Sequence, residues 1–251
     1  MLRYAITDGR RLGTTEAERA DALVEQASRL AARGDIDYLQ LREKDLAPAA
    51  LAGIARRILD AFRGAPFVRD KPARSEAERP SRTGEHSHGC AKTKLLINSR
   101  ADVAIAVRAD GVHLTSSPGE LTPAQVRAVY SEAGLLPPTV SLSCHTLTDV
   151  IAARGLRAGC GSGDELCFAP DPATSPDLIL FGPVFEKRVG DQLIAEGTGL
   201  ELLRQACAVA SPIPVLALGG ITEENIDTCL AVGAAGIAAI RLFSPLCRDL
   251  D

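Results

Sequence analysis

The strongest constraint on the fold lies in residues 214–241, which begin Pro-Val-Leu-Ala-Leu-Gly-Gly-Ile-Thr-Glu-Glu-Asn and end Gly-Ala-Ala-Gly-Ile-Ala-Ala-Ile-Arg. Val215–Leu218 is an apolar run of strand length, as expected of a strand buried on both faces. Gly219 and Gly220 then let the backbone turn sharply, with no side chain between it and a ligand. Thr222 is placed to cap a helix that carries Glu223 and Glu224 in its first turn. A second apolar strand is expected over Gly236–Ile240. Two buried strands joined through a Gly-Gly turn expose backbone N–H groups that suit a phosphate.

The same strand–helix alternation runs through the rest of the chain. Strands are predicted at Tyr4–Thr7, Tyr38–Leu41, Leu95–Asn98, Gly111–Leu114, Val140–Ser143 and Leu178–Phe181. Between them lie a helix capped by Thr14 or Thr15 and ending near Arg33, and an Ala-rich helix from Pro48 to Phe62. Further helices are expected at Asp102–Arg108, after Pro123, at Leu147–Leu156 and at Leu200–Ala210. Eight such units mean a parallel α/β sheet. An open doubly wound sheet is the rival, but no G-x-G-x-x-G follows the first strand. A single (β/α)8 TIM barrel over residues 1–251 is therefore expected, and 251 residues is an ordinary length for one. In such barrels phosphates bind after the seventh and eighth strands, where the Gly-Gly turn falls.

Three regions depart from the pattern. Residues 69–93 form a long polar insertion before the third strand, expected to be flexible and solvated. Its His86-Ser-His88-Gly-Cys90 run has metal-ligand types, but an insertion on the barrel's bottom face reads better as a plain loop. Residues 159–175 hold Cys160 and Cys167 in a Gly/Asp/Pro-rich connection. The last helix is truncated to a stub around Pro245–Leu250, so a homodimer that covers the exposed side is an open expectation.

A formal charge of −4 argues against nucleic acid and anionic membrane as partners. No apolar window is long enough to span a bilayer, and the N-terminal apolar run is too short for a signal peptide. Seven cysteines without a repeated C-x-x-C fit a reducing, cytoplasmic setting.

The second strand ends Gln40-Leu-Arg42-Glu-Lys44. Gln40, Arg42 and Lys44 share one face by strand alternation, at the barrel end where ligands bind. Anion binding is favoured over the alternative, a salt-bridge network with Glu43 and Asp45. Asn98 closes the third strand as a ligand contact or as a cap for the helix after it. Ser141, Ser143 and His145 share a parity that brings His145 to the mouth. There His145 is a general acid–base candidate, with a helix-cap or packing role as the alternative. His113 reads as an internal barrel side chain. No base lies near Cys144, Cys207 or Cys229 in sequence to make a nucleophile.

With these residues in place, the chain resembles the thiamine phosphate synthase and thiazole tautomerase (TenI) superfamily along nearly its whole length. The motifs are Tyr4-Ala-Ile-Thr-Asp8, Gln40-Leu-Arg42-Glu-Lys44, Leu96-Ile-Asn98, Ala109-Asp-Gly-Val-His113-Leu, Ser143-Cys-His145-Thr and Phe181-Gly182-Pro-Val-Phe185. Leu218-Gly219-Gly220-Ile221-Thr222 and Gly233-Ala-Ala-Gly236-Ile complete them. The resemblance implies a small phosphorylated thiazole held by Gly219, Gly220, Ile240 and Arg241, with Ser143 and Gly182 in the substrate-binding set.

Two chemistries are implied. The synthase joins hydroxymethylpyrimidine diphosphate to thiazole phosphate with magnesium, binding the pyrimidine through residues matching Gln40, Arg42, Lys44 and Asn98. Its pattern has aspartates where this chain has Ser99 and Pro118; Glu120, two residues on, is a weak substitute. A Thr-x-Thr-Lys segment is replaced by Glu186, Lys187 and Arg188. The tautomerase needs no metal or other cofactor: a residue matching His145 would move the proton while Arg42 or Lys44 steadies a carboxylate. Phe185-Glu186, Asn98-Ser-Arg100 and Ser116-Ser-Pro-Gly resemble this enzyme. The replaced aspartates favour the tautomerase reading, with the synthase and a non-catalytic phosphate-ligand regulator as alternatives.

Overall fold

The computed structural model describes residues 1–34, 36–64, 93–155, 171–189 and 192–244. The insertion's His86, His88 and Cys90, the linker's Cys160 and Cys167, and the expected stub at Pro245–Leu250 lie outside them. Eight parallel strands close into a barrel: β1 (Leu2–Ile6), β2 (Tyr38–Leu41), β3 (Lys94–Asn98), β4 (Gly111–Leu114), β5 (Thr139–Cys144), β6 (Leu178–Phe181), β9 (Val215–Leu218) and β10 (Gly236–Ala239). The helices are α1 (Glu16–Arg33), α2 (Pro48–Gly64), α3 (Ala101–Val107), α4 (Pro123–Glu132), α5 (Leu147–Ala153), α6 (Gly199–Ala210) and α7 (Ile226–Ala231).

Local sequence accounts for these boundaries. Thr15 and Glu18 form a reciprocal cap at the start of α1, Thr122 and Gln125 at α4, and Thr146 and Asp149 at α5. Pro123 occupies the first turn of α4, where no N–H is needed. Gly34 ends α1 with φ 62°, a left-handed conformation that suits glycine.

Strand alternation divides the core. Tyr4, Ile6, Leu96, Leu178, Leu180, Leu216 and Ala238 fill the barrel interior, while residues such as Leu39, Ile97, Val112 and Ile179 pack outward under the helices. At the lower rim, the aspartates preceding β2, β4 and β6 each hold the next-door strand. Asp37 accepts from Arg3 N (2.8 Å), Asp110 from Leu95 N (2.8 Å) and Asp177 from Val140 N (2.7 Å). Side chains thus fix where three neighbouring pairs start.

Two expectations need correction. The helix after the Gly-Gly turn is not capped by Thr222 and does not carry Glu223 and Glu224. It begins at Ile226, because the Asn225 side chain accepts from Thr222 N (3.0 Å) and donates to Gly220 O (2.9 Å), holding residues 220–225 as a turn. An antiparallel hairpin, β7 (Lys187–Val189) with β8 (Gln192–Ala195), lies in the β6–α6 connection that the sequence reading left irregular.

At the upper rim, Glu43 ties the loops after β1 and β2 together. Thr7 Oγ1 donates to Glu43 Oε1 (2.6 Å) and accepts from Arg42 N (2.9 Å), while Gly9 N donates to both carboxylate oxygens at 3.1 and 3.0 Å. A Cβ at residue 9 would lie 2.7 Å from Glu43 Oε2, so the clamp requires glycine there. Burial raises the Glu43 carboxyl above its ordinary range, outweighing the bonds from Thr7 and Gly9.

Two outcomes follow for stability. A Cβ at Gly236 would sit 1.9 Å from Leu2 O, whereas one at Gly53 meets nothing within 4 Å. In urea unfolding, Gly236→Ala should cost about 1–3 kcal/mol or more. Gly53→Ala, inside α2, should gain roughly 0.5–1 kcal/mol. For Glu43, the folded state binds the proton more tightly than the unfolded chain. Its contribution is therefore greatest below the ordinary carboxylate pKa and is lost as pH rises through the raised value. The stability of wild type minus that of Glu43→Gln should fall as pH rises above the ordinary carboxylate pKa of about 4; a difference that grows with pH contradicts this account.

Candidate active site

The C-terminal ends of the strands gather the polar residues. Gln40 on β2 is buried and donates through Nε2 to Asn98 Oδ1 (2.7 Å) at the end of β3. Asn98 Nδ2 donates to Ser99 Oγ (3.2 Å), and Ser99 Oγ donates to Glu120 Oε2 (2.9 Å). Thr115 Oγ1 also donates to Glu120 Oε2 (2.6 Å). An ionised carboxylate only accepts, so Glu120 sets the direction of the whole chain. Ser99 must donate to it, Asn98 must donate to Ser99, and Gln40 must turn its N–H toward Asn98. Gln40 Oε1 is left buried with no partner, an acceptor suited to a ligand N–H. Asn98 is therefore a relay in this chain. It does not cap α3, whose N-cap is Arg100 without a side-chain bond.

Arg42 and Lys44 do not enter the carboxylate network weighed from sequence. Asp45 pairs instead with Arg10 (3.2 Å) and Arg19 (3.1 Å), and Glu43 is taken up by Thr7 and Gly9. Among the described residues neither Arg42 nor Lys44 has a carboxylate partner. Their charge is felt inside the barrel. Burial, then the positive charges of Arg42 and Lys44, press the His113 pKa down to about 3, so its ring is neutral. Two uncompensated cations above an uncharged polar interior make a site for an anion.

His145 stands just past β5. Its Nδ1 lies 2.5 Å from the Gly182 carbonyl oxygen, which can only accept; Nδ1 therefore carries a proton, and Nε2 is the nitrogen left for other partners. The α5 cap is Thr146, so the helix-cap alternative for His145 does not hold. Gly182 fits against the next strand so closely that a Cβ would sit 2.0 Å from Leu218 O. Burial pushes the Cys144 thiol up to about 12, which makes it a poor nucleophile.

Gly219 and Gly220 both have positive φ, 93° and 65°. The side-chain space at these glycines is filled by the protein itself. A Cβ at Gly219 would meet Pro183 Cα at 2.6 Å, and one at Gly220 would meet Phe185 Cβ at 2.6 Å. Val184 N donates to Leu218 O (2.7 Å) and Phe185 N to Gly219 O (3.1 Å), which brings the β6 loop over the turn. The glycines thus serve loop packing as much as open access. Among the described residues the backbone N–H of Gly220 meets no backbone acceptor, which suits an anion. Ile240 packs its side chain against the barrel interior, and Arg241 is exposed at the rim.

Sequence reasoning missed what joins these residues. His113 was placed inside the barrel, as found, but its links to Tyr4, Ser141 and Ser143 were not seen; the shared parity of the two serines was the available signal. The Ser99–Thr115–Glu120 cluster was missed because its members meet across two loops. Among the described residues no group of three or more His, Cys, Asp or Glu side chains could hold a metal ion. None of the described helices is long and apolar enough to cross a membrane.

Comparison with known proteins agrees with this geometry. A Geobacter sulfurreducens protein named "Putative thiamine-phosphate synthase" is 33% identical over 251 residues, covering 99% of this chain and 87% of the relative. A Methanoregula boonei thiamine-phosphate synthase is 29% identical over 237 residues, covering 94% and 82%. The solved thiamine phosphate pyrophosphorylase from Pyrococcus furiosus superposes with a TM-score of 0.61 at 22% identity, covering 98% of this chain and 90% of that one, which supports the fold. The thiamine monophosphate synthase family matches residues 4–243. The chain, a closed eight-stranded barrel with its polar residues gathered at one mouth, belongs to that family.

Proposed function

We propose that the protein is a metal-independent thiazole tautomerase-like enzyme of thiamine biosynthesis. The observation that carries this reading is the locked His145 ring. With Nδ1–H held on Gly182 O, Nε2 is the ring nitrogen left to exchange a proton at the barrel mouth. Aromatising a thiazole by tautomerisation takes a proton from one ring position and returns it at another. A histidine suits both steps because its pKa is ordinarily near neutrality. The substrate phosphate would lie on the amides of Gly220 and Arg241, with the Arg241 side chain beside it. Arg42 or Lys44 would hold the carboxylate; a guanidinium can do so with two parallel bonds. His145, Arg42 and Lys44 are the catalytic residues of this reading; Gln40, Asn98, Ser143, Gly182, Gly219, Gly220, Ile240 and Arg241 shape the binding site.

The resemblance also implies magnesium for the synthases, and the donors around Asn98 do not fit it well. Magnesium favours near-ideal octahedral oxygen coordination, with one or two carboxylates beside substrate phosphates. Here Ser99 supplies a hydroxyl and donates to Glu120, and Glu120 Oε2 is already shared with Thr115. No step of the proposed chemistry involves a metal. Two observations nevertheless favour a second reading, a divergent synthase. The unpartnered Gln40 Oε1 would accept from an aminopyrimidine, and a Glu120 oxygen lies two hydrogen bonds from Asn98.

Purified protein should convert the non-aromatic thiazole carboxylate phosphate to its aromatic tautomer without added metal. His145→Ala should lower kcat by about 10²-fold or more with KM little changed. An unchanged kcat removes His145 from the chemistry. Product from hydroxymethylpyrimidine diphosphate and thiazole phosphate, formed only with magnesium and lost in Glu120→Ala, would establish the second reading instead.

A further inference from the structure

Below the mouth, a polar chain runs through the barrel interior. Tyr4 Oη lies 2.9 Å from Ser141 Oγ, Ser141 Oγ lies 2.8 Å from His113 Nδ1, and His113 Nε2 lies 2.9 Å from Ser143 Oγ. Tyr4 and Ser141 are fully buried, His113 is 3% exposed and Ser143 is 9% exposed. The groups run from the closed interior up to the site.

The proton order in this chain follows from counting donors. A neutral imidazole carries one N–H, so one serine donates to the ring and the other accepts from it. In one order Tyr4 donates to Ser141, Ser141 to Nδ1 and Nε2–H to Ser143. Every buried donor then has an acceptor, and the Ser143 hydrogen is left for the mouth. In the reverse order Ser143 donates inward and the last hydrogen falls on Tyr4, whose hydroxyl has no other acceptor among the described residues. An unpaired donor at a fully buried position is costly, so the first order prevails. A charged ring would need two acceptors and would sit beneath Arg42 and Lys44, the cationic groups that bear on it; burial and those charges keep it neutral.

We propose that the buried Tyr4–Ser141–His113 chain fixes Ser143 as a hydrogen-bond donor toward the barrel mouth, making His113 a positioning residue that selects an anionic oxygen beneath Arg42 and Lys44. The proton order rests on the hydrogen-bond geometry and the neutral ring, while the anion selection rests on the reading of the mouth as an anion site.

Two measurements test the two parts separately. In a variant with His86, His88 and His145 replaced by Gln, one imidazole remains, and ¹⁵N NMR reads its tautomer. The expected result is a single neutral Nε2–H form with no titration between about pH 5 and pH 8. A Nδ1–H tautomer, or a ring that titrates in that range, overturns the proposed order. The second measurement titrates inorganic pyrophosphate into the otherwise unaltered protein by calorimetry. Ser143→Ala and His113→Phe should each weaken binding by about tenfold, and the double variant by no more than either alone. No pyrophosphate binding to wild type, additive losses, or unaltered binding by His113→Phe would each overturn the anion selection. If His113→Phe does not fold, the Ser143→Ala titration decides: unaltered binding overturns the selection, and a tenfold loss supports it.

Discussion

A closed barrel leaves no route by which a polar side chain on its inward face can reach bulk water except through the mouth. Every such group must be satisfied within the ring or by what enters from above. That constraint organises this protein's site. Two chains of hydrogen bonds climb toward the same opening, and each has a fixed end that gives it a direction. One ends on the Glu120 carboxylate, which can only accept, and leaves Gln40 Oε1 as an unused acceptor. The other starts at the buried Tyr4 hydroxyl, which among the described residues bonds to Ser141 alone, and leaves Ser143 with an unused donor. The site thus offers an acceptor whose identity is set by Glu120 in the loop after β4, and a donor whose identity is set by Tyr4 in the barrel interior.

Above these chains the electrostatics point the same way. Arg42 and Lys44 stay unneutralised because the nearby carboxylates are committed elsewhere: Glu43 to the backbone at Gly9 and to Thr7, Asp45 to Arg10 and Arg19. Positive charge retained over a neutral interior draws an anion without requiring deep desolvation of either partner. The upper loops are therefore held by backbone and hydroxyl contacts that leave the cations available.

Most of the fold could be read from the sequence because the barrel strands are short apolar runs and α1, α4 and α5 open on reciprocal caps. Tyr38–Leu41, Gly111–Leu114, Leu178–Phe181 and Val215–Leu218 appear with the expected ends. The misplaced start of α7 has a local cause: Thr222 looks like a cap, yet Asn225 N donates to the Thr222 carbonyl (3.3 Å), while the Asn225 side chain takes Thr222 N and reaches Gly220 O. The β7–β8 hairpin had a signal that went unused, the Gly190-Asp191 pair between Lys187–Val189 and Gln192–Ala195. At the site, parity along β2 and β5 brought out Gln40, Arg42, Ser143 and His145. It could not show that Glu120 from the loop after β4 reaches Ser99 after β3, since that contact depends on two loop conformations. Nor could it show that Pro183 and Phe185 occupy the side-chain space at Gly219 and Gly220.

The aspartates at the lower rim have an evolutionary corollary. Because Asp37, Asp110 and Asp177 grip the second amides of neighbouring strands, the alignment of those strands is decided after each helix has ended and the chain has returned. The path taken on the return is then of little importance to the barrel. The sequence between Gly64 and Thr93 joins α2 to β3, and β3 still enters between Asp37 O, which receives Lys94 N at 2.9 Å, and Asp110, which receives Leu95 N. A lineage could lengthen, shorten or replace that connector while the catalytic rim, on the far side of the molecule, kept its spacing.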